Sequence, residues 1–96
     1  LKILGKLIID NGASKALMSG SSLLPAGVLK VEGNFEKGDL IEIYTSDRKQ
    51  IASGLSSYNS QEIKIIAGNK TRDIESLLGY VGRDELIHRD DLVLKN

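Results

Sequence analysis

Short apolar segments, each ended by glycine or by a polar turn, are the feature of this sequence that most constrains its fold. Leu4–Ile9, Ala26–Glu32 and Leu40–Tyr44 are mostly apolar, and each is followed closely by Gly, Asn or Ser residues. Strands in globular proteins average about five or six residues, whereas helices average about eleven or twelve. Segments of this length predict strands, with short helices between them.

The first half of the chain predicts strand, helix, strand and hairpin in that order. Asp10 or Asn11 is a suitable helix N-cap, and apolar residues recur after it at helical spacing until Gly20. The predicted elements are a strand over Leu4–Ile9, a helix ending before Gly20, a strand over Ala26–Glu32, and a β-hairpin of Leu40–Tyr44 with Gln50–Tyr58.

The second half predicts two short helices and a last strand. Asn59 followed by Glu62 is a capping box that opens one helix, and a second helix is predicted from an N-cap at Thr71 to Gly79. Glu85–Leu94 predicts a strand with a polar interruption. Strands joined by such short helices predict a mostly β, α+β fold of the small-barrel kind, because a doubly wound sheet needs longer helices.

Charge and composition exclude several function classes. The chain has 13 basic and 13 acidic side chains and a formal net charge of zero, which disfavours a nucleic-acid binder that relies on clustered Lys and Arg. No apolar run approaches the roughly 20 residues that span a bilayer, so we expect no contact with a membrane. The absence of Cys is typical of a reducing environment, and we expect a cytoplasmic location.

The length of 96 residues predicts a single domain over positions 1–96 with one core. The sequence starts at Leu1 rather than at Met. We therefore expect this domain to be a piece of a longer protein.

The residues that could perform catalysis are few. His88 is the only side chain that titrates near neutral pH without perturbation, so a Ser or Thr nucleophile would need it as a base. His88, Asp90 and Asp91 alternate across the predicted last strand and do not converge on one metal ion. Gly33–Gly38 has the glycine spacing of a phosphate loop without the Lys that must follow. We expect no catalytic, cofactor-binding or metal-binding residue, and a catalytic His88 is the enzymatic alternative.

One combination of glycines and turn residues in the first half stands out. Its motifs are Asp10-Asn11-Gly12-Ala13, Ala16-Leu17, the run from Gly20 to Val28, and Phe35-x-x-Gly38-Asp39-x-Ile41. Together they resemble the PUA domain, a small pseudo-barrel found in RNA-modifying enzymes and fused to some metabolic enzymes. Gly20 and Gly27 permit the turns that bring the first helix against the next strand. The resemblance implies a mostly β pseudo-barrel with short helices.

Motifs in the second half narrow this resemblance. They are Ile51-Ala52-x-Gly54-Leu55-x-x-Tyr58-x-Ser60-x-Glu62, Ile66-Ala67-Gly68, Ile74-Glu75-x-x-Leu78-Gly79-Tyr80 and Ile87-His88-Arg89-Asp90-Asp91-Leu92. With the first set they resemble the C-terminal PUA domain of the bacterial glutamate 5-kinase family. In that family an N-terminal amino-acid-kinase domain makes glutamyl 5-phosphate from glutamate, the first step of proline biosynthesis. The resemblance implies that ATP and Mg²⁺ belong to that domain, which is absent from this sequence.

The resemblance also implies where a partner would bind. In RNA-modifying relatives the RNA contacts come from the first helix, the turn after it and the adjoining strands. The matching positions here are Lys15, Gly20, Ser21, Ser22, Leu23 and Leu24, with Arg89 on the last strand as an addition.

Two hypotheses about function follow from this resemblance. The first is a non-catalytic module that modulates a glutamate 5-kinase by contacting its kinase domain or other subunits of a homo-oligomer. In that case Leu23-Leu24-Pro25 would be a partly exposed apolar contact. The alternative is a functional RNA-binding PUA module.

Overall fold

The computed structural model describes residues 2–96, in which five strands form one mixed sheet and three short α-helices pack against it. The strands are β1 (Gly5–Ile9), β2 (Val28–Gly33), β3 (Leu40–Thr45), β4 (Gln50–Leu55) and β5 (Leu92–Leu94). Their order across the sheet is β2-β1-β3-β4-β5. The pairing of β1 with β3 is parallel and the other pairings are antiparallel. The predicted mostly β fold with short helices is confirmed.

The helices lie in the connections between strands. They are α1 (Asn11–Met18), α2 (Ser60–Ile66) and α3 (Ile74–Leu78), and 3₁₀ turns occupy Pro25–Gly27, Thr71–Asp73 and Arg89–Asp91. Each is far shorter than the roughly 20 residues of a membrane-spanning helix. Among residues 2–96 no helix has the length and apolarity to cross a bilayer.

The core lies between one face of the sheet and the helices. Alternate strand residues point to the same face, so every second side chain of β1 and β3 enters the interior. The fully buried strand residues are Leu7, Ile9, Ile41, Ile43 and Ala52. Leu17, Ile63 and Ile66 from the helices join the same apolar cluster. Burial of each of these Leu and Ile side chains contributes roughly 1.5–3 kcal/mol to the stability of the fold.

The first helix forms as predicted, whereas the strand after it starts later. Asp10 is the N-cap of α1, and its carboxylate accepts a hydrogen bond of 2.8 Å from the Ala13 N–H. The chain leaves the helix through Gly20, whose φ of +90° favours glycine. The strand expected over Ala26–Glu32 starts at Val28, because Pro25 fixes a 3₁₀ turn in front of it.

The central hairpin is confirmed, but its second strand is shorter than predicted. β4 ends at Leu55, and a tight turn follows in which the Ser56 hydroxyl contacts both the Tyr58 carbonyl at 2.5 Å and the Tyr58 N–H at 3.3 Å. This turn carries the Tyr58 ring into the core, where its hydroxyl donates to the Arg83 carbonyl. Burial of the large Tyr58 ring therefore ends the hydrogen-bonded pairing of β4 with β3.

The predicted capping box of Asn59 and Glu62 is confirmed, with reciprocal hydrogen bonds of 2.8 and 3.0 Å. The predicted N-cap at Thr71 is wrong. Thr71 begins a 3₁₀ turn, and α3 starts at Ile74 and ends at Gly79 in the left-handed conformation.

The strand expected over Glu85–Leu94 is also shorter than predicted. Only Leu92–Leu94 form β5, and Arg89–Asp91 form a 3₁₀ turn in front of it. His88 is the N-cap of this turn and not a strand residue, since its imidazole Nδ1 accepts from the Asp90 N–H at 3.1 Å.

We predict that Gly27→Ala destabilises the fold and that Gly12→Ala does not. A Cβ on Gly27 would lie 2.4 Å from the Ala13 Cβ, so α1 would have to shift at a cost of about 1–3 kcal/mol. A Cβ on Gly12 would lie 3.5 Å from the Asp10 carboxylate, and replacing a helical Gly by Ala stabilises by roughly 0.5–1 kcal/mol. Urea unfolding of the two variants measures the difference. Equal midpoints would contradict the close helix–strand contact.

Candidate functional site

A surface groove lies between α1 and the segment that leads into β2. Its volume is about 390 Å³, which falls in the usual range of ligand-binding pockets, roughly 300–1,000 Å³. The residues that line it are Asp10, Gly12, Ala13, Ala16, Ser21, Ser22, Leu24, Ala26 and Gly27. Glycine and alanine form most of this lining, and Asp10 is its one charged residue within the part of the chain that the structure describes.

The groove exists because α1 and the start of β2 are fixed to each other. The Asp10 N–H donates to the Gly27 carbonyl at 2.9 Å, and the bare Cα of Gly27 lets Ala13 approach closely. The helix therefore starts directly beside the 3₁₀ turn of Pro25–Gly27. Small side chains on the facing surfaces leave the space between them open.

A second pocket of about 330 Å³ continues the groove toward the turn before β5. Ser21, Ser22 and Leu24 line both pockets, and the second adds Glu85, His88 and Arg89. We call the two pockets together the α1 groove. Its second part contains one carboxylate, one guanidinium and one imidazole.

Two main-chain contacts and one side-chain contact join the walls of the second part. Leu23 and Ile87 form an isolated antiparallel bridge, with the Leu23 N–H donating to the Ile87 carbonyl at 3.0 Å. The Leu86 N–H donates to the Leu23 carbonyl at 2.8 Å. The Ser22 hydroxyl accepts from the Arg89 N–H at 2.8 Å. These contacts hold residues 21–24 against the turn that precedes β5.

The structure brings together four of the seven residues predicted to bind RNA or a partner. Ser21, Ser22, Leu24 and Arg89 line the α1 groove. The other three, Lys15, Gly20 and Leu23, do not line the groove. Lys15 is exposed on α1 but is not part of the groove lining, and Gly20 forms the turn after the helix.

Leu23 departs most from the expectation of an exposed apolar contact. Its side chain is 1% exposed and belongs to the core, and Pro25 is buried as well. Leu24 between them is 46% exposed. The apolar contact predicted for Leu23-Leu24-Pro25 is therefore reduced to Leu24, because the bridge to Ile87 turns Leu23 inward.

Sequence reasoning missed the small residues that line the groove. Gly12 and Ala16 are four positions apart and therefore lie on one face of α1. This spacing of small residues after an N-cap is the signal that could have indicated a groove. Glu85 and His88 gave no such signal, since their place beside Ser22 depends on a contact between distant parts of the chain.

The imidazole of His88, in the second part of the α1 groove, is engaged by a neighbouring residue. His88 Nδ1 is engaged by the Asp90 N–H, and the Asp90 carboxylate lies 3.5 Å from the same nitrogen. Over residues 2–96, His, Asp and Glu side chains do not gather in any group of three or more that could hold a metal ion.

The clearest pKa shifts lie outside the α1 groove and belong to structural contacts. The Tyr80 hydroxyl donates to the Glu62 carboxylate, and this hydrogen bond raises the pKa of Tyr80 to about 12. The guanidinium of Arg48 forms two hydrogen bonds with the Glu32 carboxylate, which lowers the pKa of Glu32. Both pairs connect neighbouring elements on the surface.

Comparison with known families decides what kind of domain this is. A profile of the PUA domain matches residues 5–78. The chain belongs to the PUA domain family. The family predicted from the glycine and turn motifs is confirmed.

This PUA domain is also similar to part of a metabolic enzyme. It is 51% identical to the glutamate 5-kinase of Agrobacterium fabrum over 90 residues, which cover 94% of this chain and 23% of that protein. The chain spans about a quarter of the length of the curated relatives it matches. The predicted resemblance to glutamate 5-kinases is confirmed.

Solved structures confirm the fold of this PUA domain. A PUA domain from Aeropyrum pernix superimposes with a TM-score of 0.65 and 22% identity, over 88% of this chain and 41% of that chain. The archaeal box H/ACA sRNP Nop10–Cbf5 complex contains a chain that matches with a TM-score of 0.62 and 25% identity, over 97% of this chain and 24% of that chain. The predicted PUA-like pseudo-barrel is therefore confirmed.

We predict that Ser22→Ala loosens the groove wall and that Ser21→Ala has little effect. Removal of the Ser22 hydroxyl leaves the Arg89 N–H without its acceptor and costs about 0.5–1.5 kcal/mol. Amide hydrogen exchange measures this directly, and the Arg89 amide should exchange roughly two- to tenfold faster in Ser22→Ala. Ser21 is exposed and lines the same groove, which makes Ser21→Ala the matched control. An unchanged Arg89 exchange rate in Ser22→Ala would contradict this role.

Proposed function

We propose that this PUA domain is the non-catalytic C-terminal domain of a glutamate 5-kinase and modulates the regulation or assembly of that enzyme. The observation that carries the proposal is the 51% identity to a glutamate 5-kinase over 94% of the chain. The parent protein then transfers phosphate from ATP to glutamate and forms glutamyl 5-phosphate in the cytoplasm. ATP and Mg²⁺ bind its amino-acid-kinase domain, and the 96 residues belong to a single PUA domain.

The polar residues near the groove support a binding role. His88 and Ser22 are both engaged in hydrogen bonds that shape the turn before β5. Leu24 remains exposed beside a groove lined by small residues. Such a surface suits contact with another part of the protein, and the chemistry of phosphate transfer belongs to the kinase domain. The partners of this domain are then its own kinase domain and other subunits of a homo-oligomer.

Removal of the PUA domain from the full-length kinase tests this proposal. We predict that the truncated enzyme still phosphorylates glutamate, while its inhibition by proline or its oligomer size changes. A coupling of about 1–3 kcal/mol between the domains corresponds to a change of roughly fivefold or more in the inhibitory proline concentration. Steady-state kinetics and light scattering measure the two properties. Identical glutamate affinity, proline inhibition and oligomer size in both proteins would refute the modulating role.

RNA binding is the second candidate function. The observation that favours it is the likeness of nearly the whole chain to a chain of the Nop10–Cbf5 complex, which is a box H/ACA sRNP. Lys15 and Arg89 are the predicted cationic contacts, and both side chains are exposed. Two phosphate contacts would give weak binding that salt abolishes.

A titration of the full-length protein with a structured RNA distinguishes the two functions. RNA binding through Lys15 and Arg89 predicts a slope of about −1 to −2 for log affinity against log salt concentration. The double variant Lys15→Glu, Arg89→Glu should remove this binding, whereas Lys37→Glu, an exposed residue outside the groove, should not. Absence of binding at about 50 mM salt would exclude this candidate.

A further inference from the structure

We propose that the α1 groove binds an extended peptide segment that carries a basic side chain next to an apolar one. The segment belongs to the part of the same parent protein that lies outside these 96 residues. This inference rests on the proposed function, because it assigns the surface through which the domain contacts its kinase. The proposed ligand is a peptide with a positive charge, whereas an RNA would bring negative phosphates.

The lining of the groove favours an apolar side chain at its centre. Gly12, Ala13 and Ala16 present small side chains along one wall, and Ala26 and Gly27 do so along the other. Leu24 stands at the junction of the two pockets and is 46% exposed. A leucine-sized side chain placed there would cover the exposed surface of Leu24, and removing that apolar surface from water favours binding.

The charges of the groove favour a cation beside that apolar side chain. Asp10 lies in the first part and Glu85 in the second, so each pocket carries a carboxylate. In the part of the chain that the structure describes, neither carboxylate forms an ion pair. Arg89 is the only Lys or Arg of the lining, whose formal charge is therefore negative with His88 neutral.

A helix N-terminus often attracts an anion, but the carboxylate of Asp10 opposes this attraction at the start of α1. Asp10 places its carboxylate at the first turn and accepts from the Ala13 N–H. The partial positive charge of the helix N-terminus, about half an elementary charge, is smaller than the negative charge of this carboxylate, so a net negative charge remains here. A phosphate at this point would approach the Asp10 carboxylate, whereas a Lys or Arg side chain would pair with it.

We assign the peptide to the same protein because the matched relatives are much longer than this chain. The chain spans about a quarter of the length of its curated relatives, so about three quarters of such a protein lies outside it. A segment of the same protein is held near the groove at an effective concentration that reaches the mM range for short linkers. A surface groove with two carboxylates is sufficient at that concentration, although it would bind a free peptide weakly.

Photo-crosslinking in the full-length protein tests the occupant. Leu24 is replaced by benzoyl-phenylalanine, and Val93, which is 67% exposed on β5 and outside the groove, receives the same replacement as the control. We expect Leu24 to crosslink to a peptide of the kinase part that contains Lys or Arg beside an apolar residue. Val93 should not crosslink to that peptide.

Charge variants test the ionic part of the proposal. Glu85→Lys should lower the Leu24 crosslink yield roughly threefold or more, and Glu85→Gln should lower it less. The neighbouring substitution Asp84→Lys changes the net charge equally but lies outside the α1 groove. The Leu24 crosslink yield should therefore equal that of the full-length protein without a charge substitution. Glu85→Gln keeps the test valid if the charge reversal prevents folding. An unchanged yield in both Glu85 variants would overturn the role of the carboxylate.

The remaining outcomes separate this inference from the proposed function. No crosslink from Leu24, a crosslink to RNA, or a crosslink to the PUA domain of a second copy would each overturn the inference. A crosslink to a kinase segment without a basic residue would overturn it as well. If the truncated enzyme nevertheless shows altered proline inhibition, the modulating function stands and acts through another surface.

Discussion

The contact between α1 and Gly27 is the constraint on which this domain and its groove depend. The helix can start beside β2 only because Gly27 has no side chain where Ala13 approaches. The hydrogen bond from the Asp10 N–H to the Gly27 carbonyl then fixes the direction of the helix. Since the same two segments form the walls of the groove, one close contact determines both the packing of the first helix and the width of the groove.

Several features of the fold were predictable because a few neighbouring residues determine them. The N-cap at Asp10, the capping box of Asn59 with Glu62, and the glycine that ends α3 each act within one helical turn. The predictions at Thr71 and at the start of β2 missed local 3₁₀ turns, whereas the predicted end of β4 was wrong because distant residues decide it. β4 ends early because Tyr58 packs under the residues near Arg83, a contact between positions 25 residues apart.

The α1 groove was only partly predictable for the same reason. The family resemblance pointed to the turn after α1, and Ser21, Ser22 and Leu24 indeed line a groove. It could not tell which side chains of that turn face outward, since the inward direction of Leu23 depends on its bridge to Ile87. Glu85 reaches the groove through that same bridge, and its local negative charge is invisible in the net charge of the whole chain.

The hydrogen bond between Ser22 and Arg89 joins residues 67 positions apart. One wall of the groove is therefore made early in the chain and the other near β5, so the complete surface cannot form before these two regions meet. Contacts of such long sequence separation form late in folding, because closing the loop between them costs entropy first. A partner that recognises both walls would consequently distinguish the fully folded domain from any intermediate that contains only the first part of the sheet.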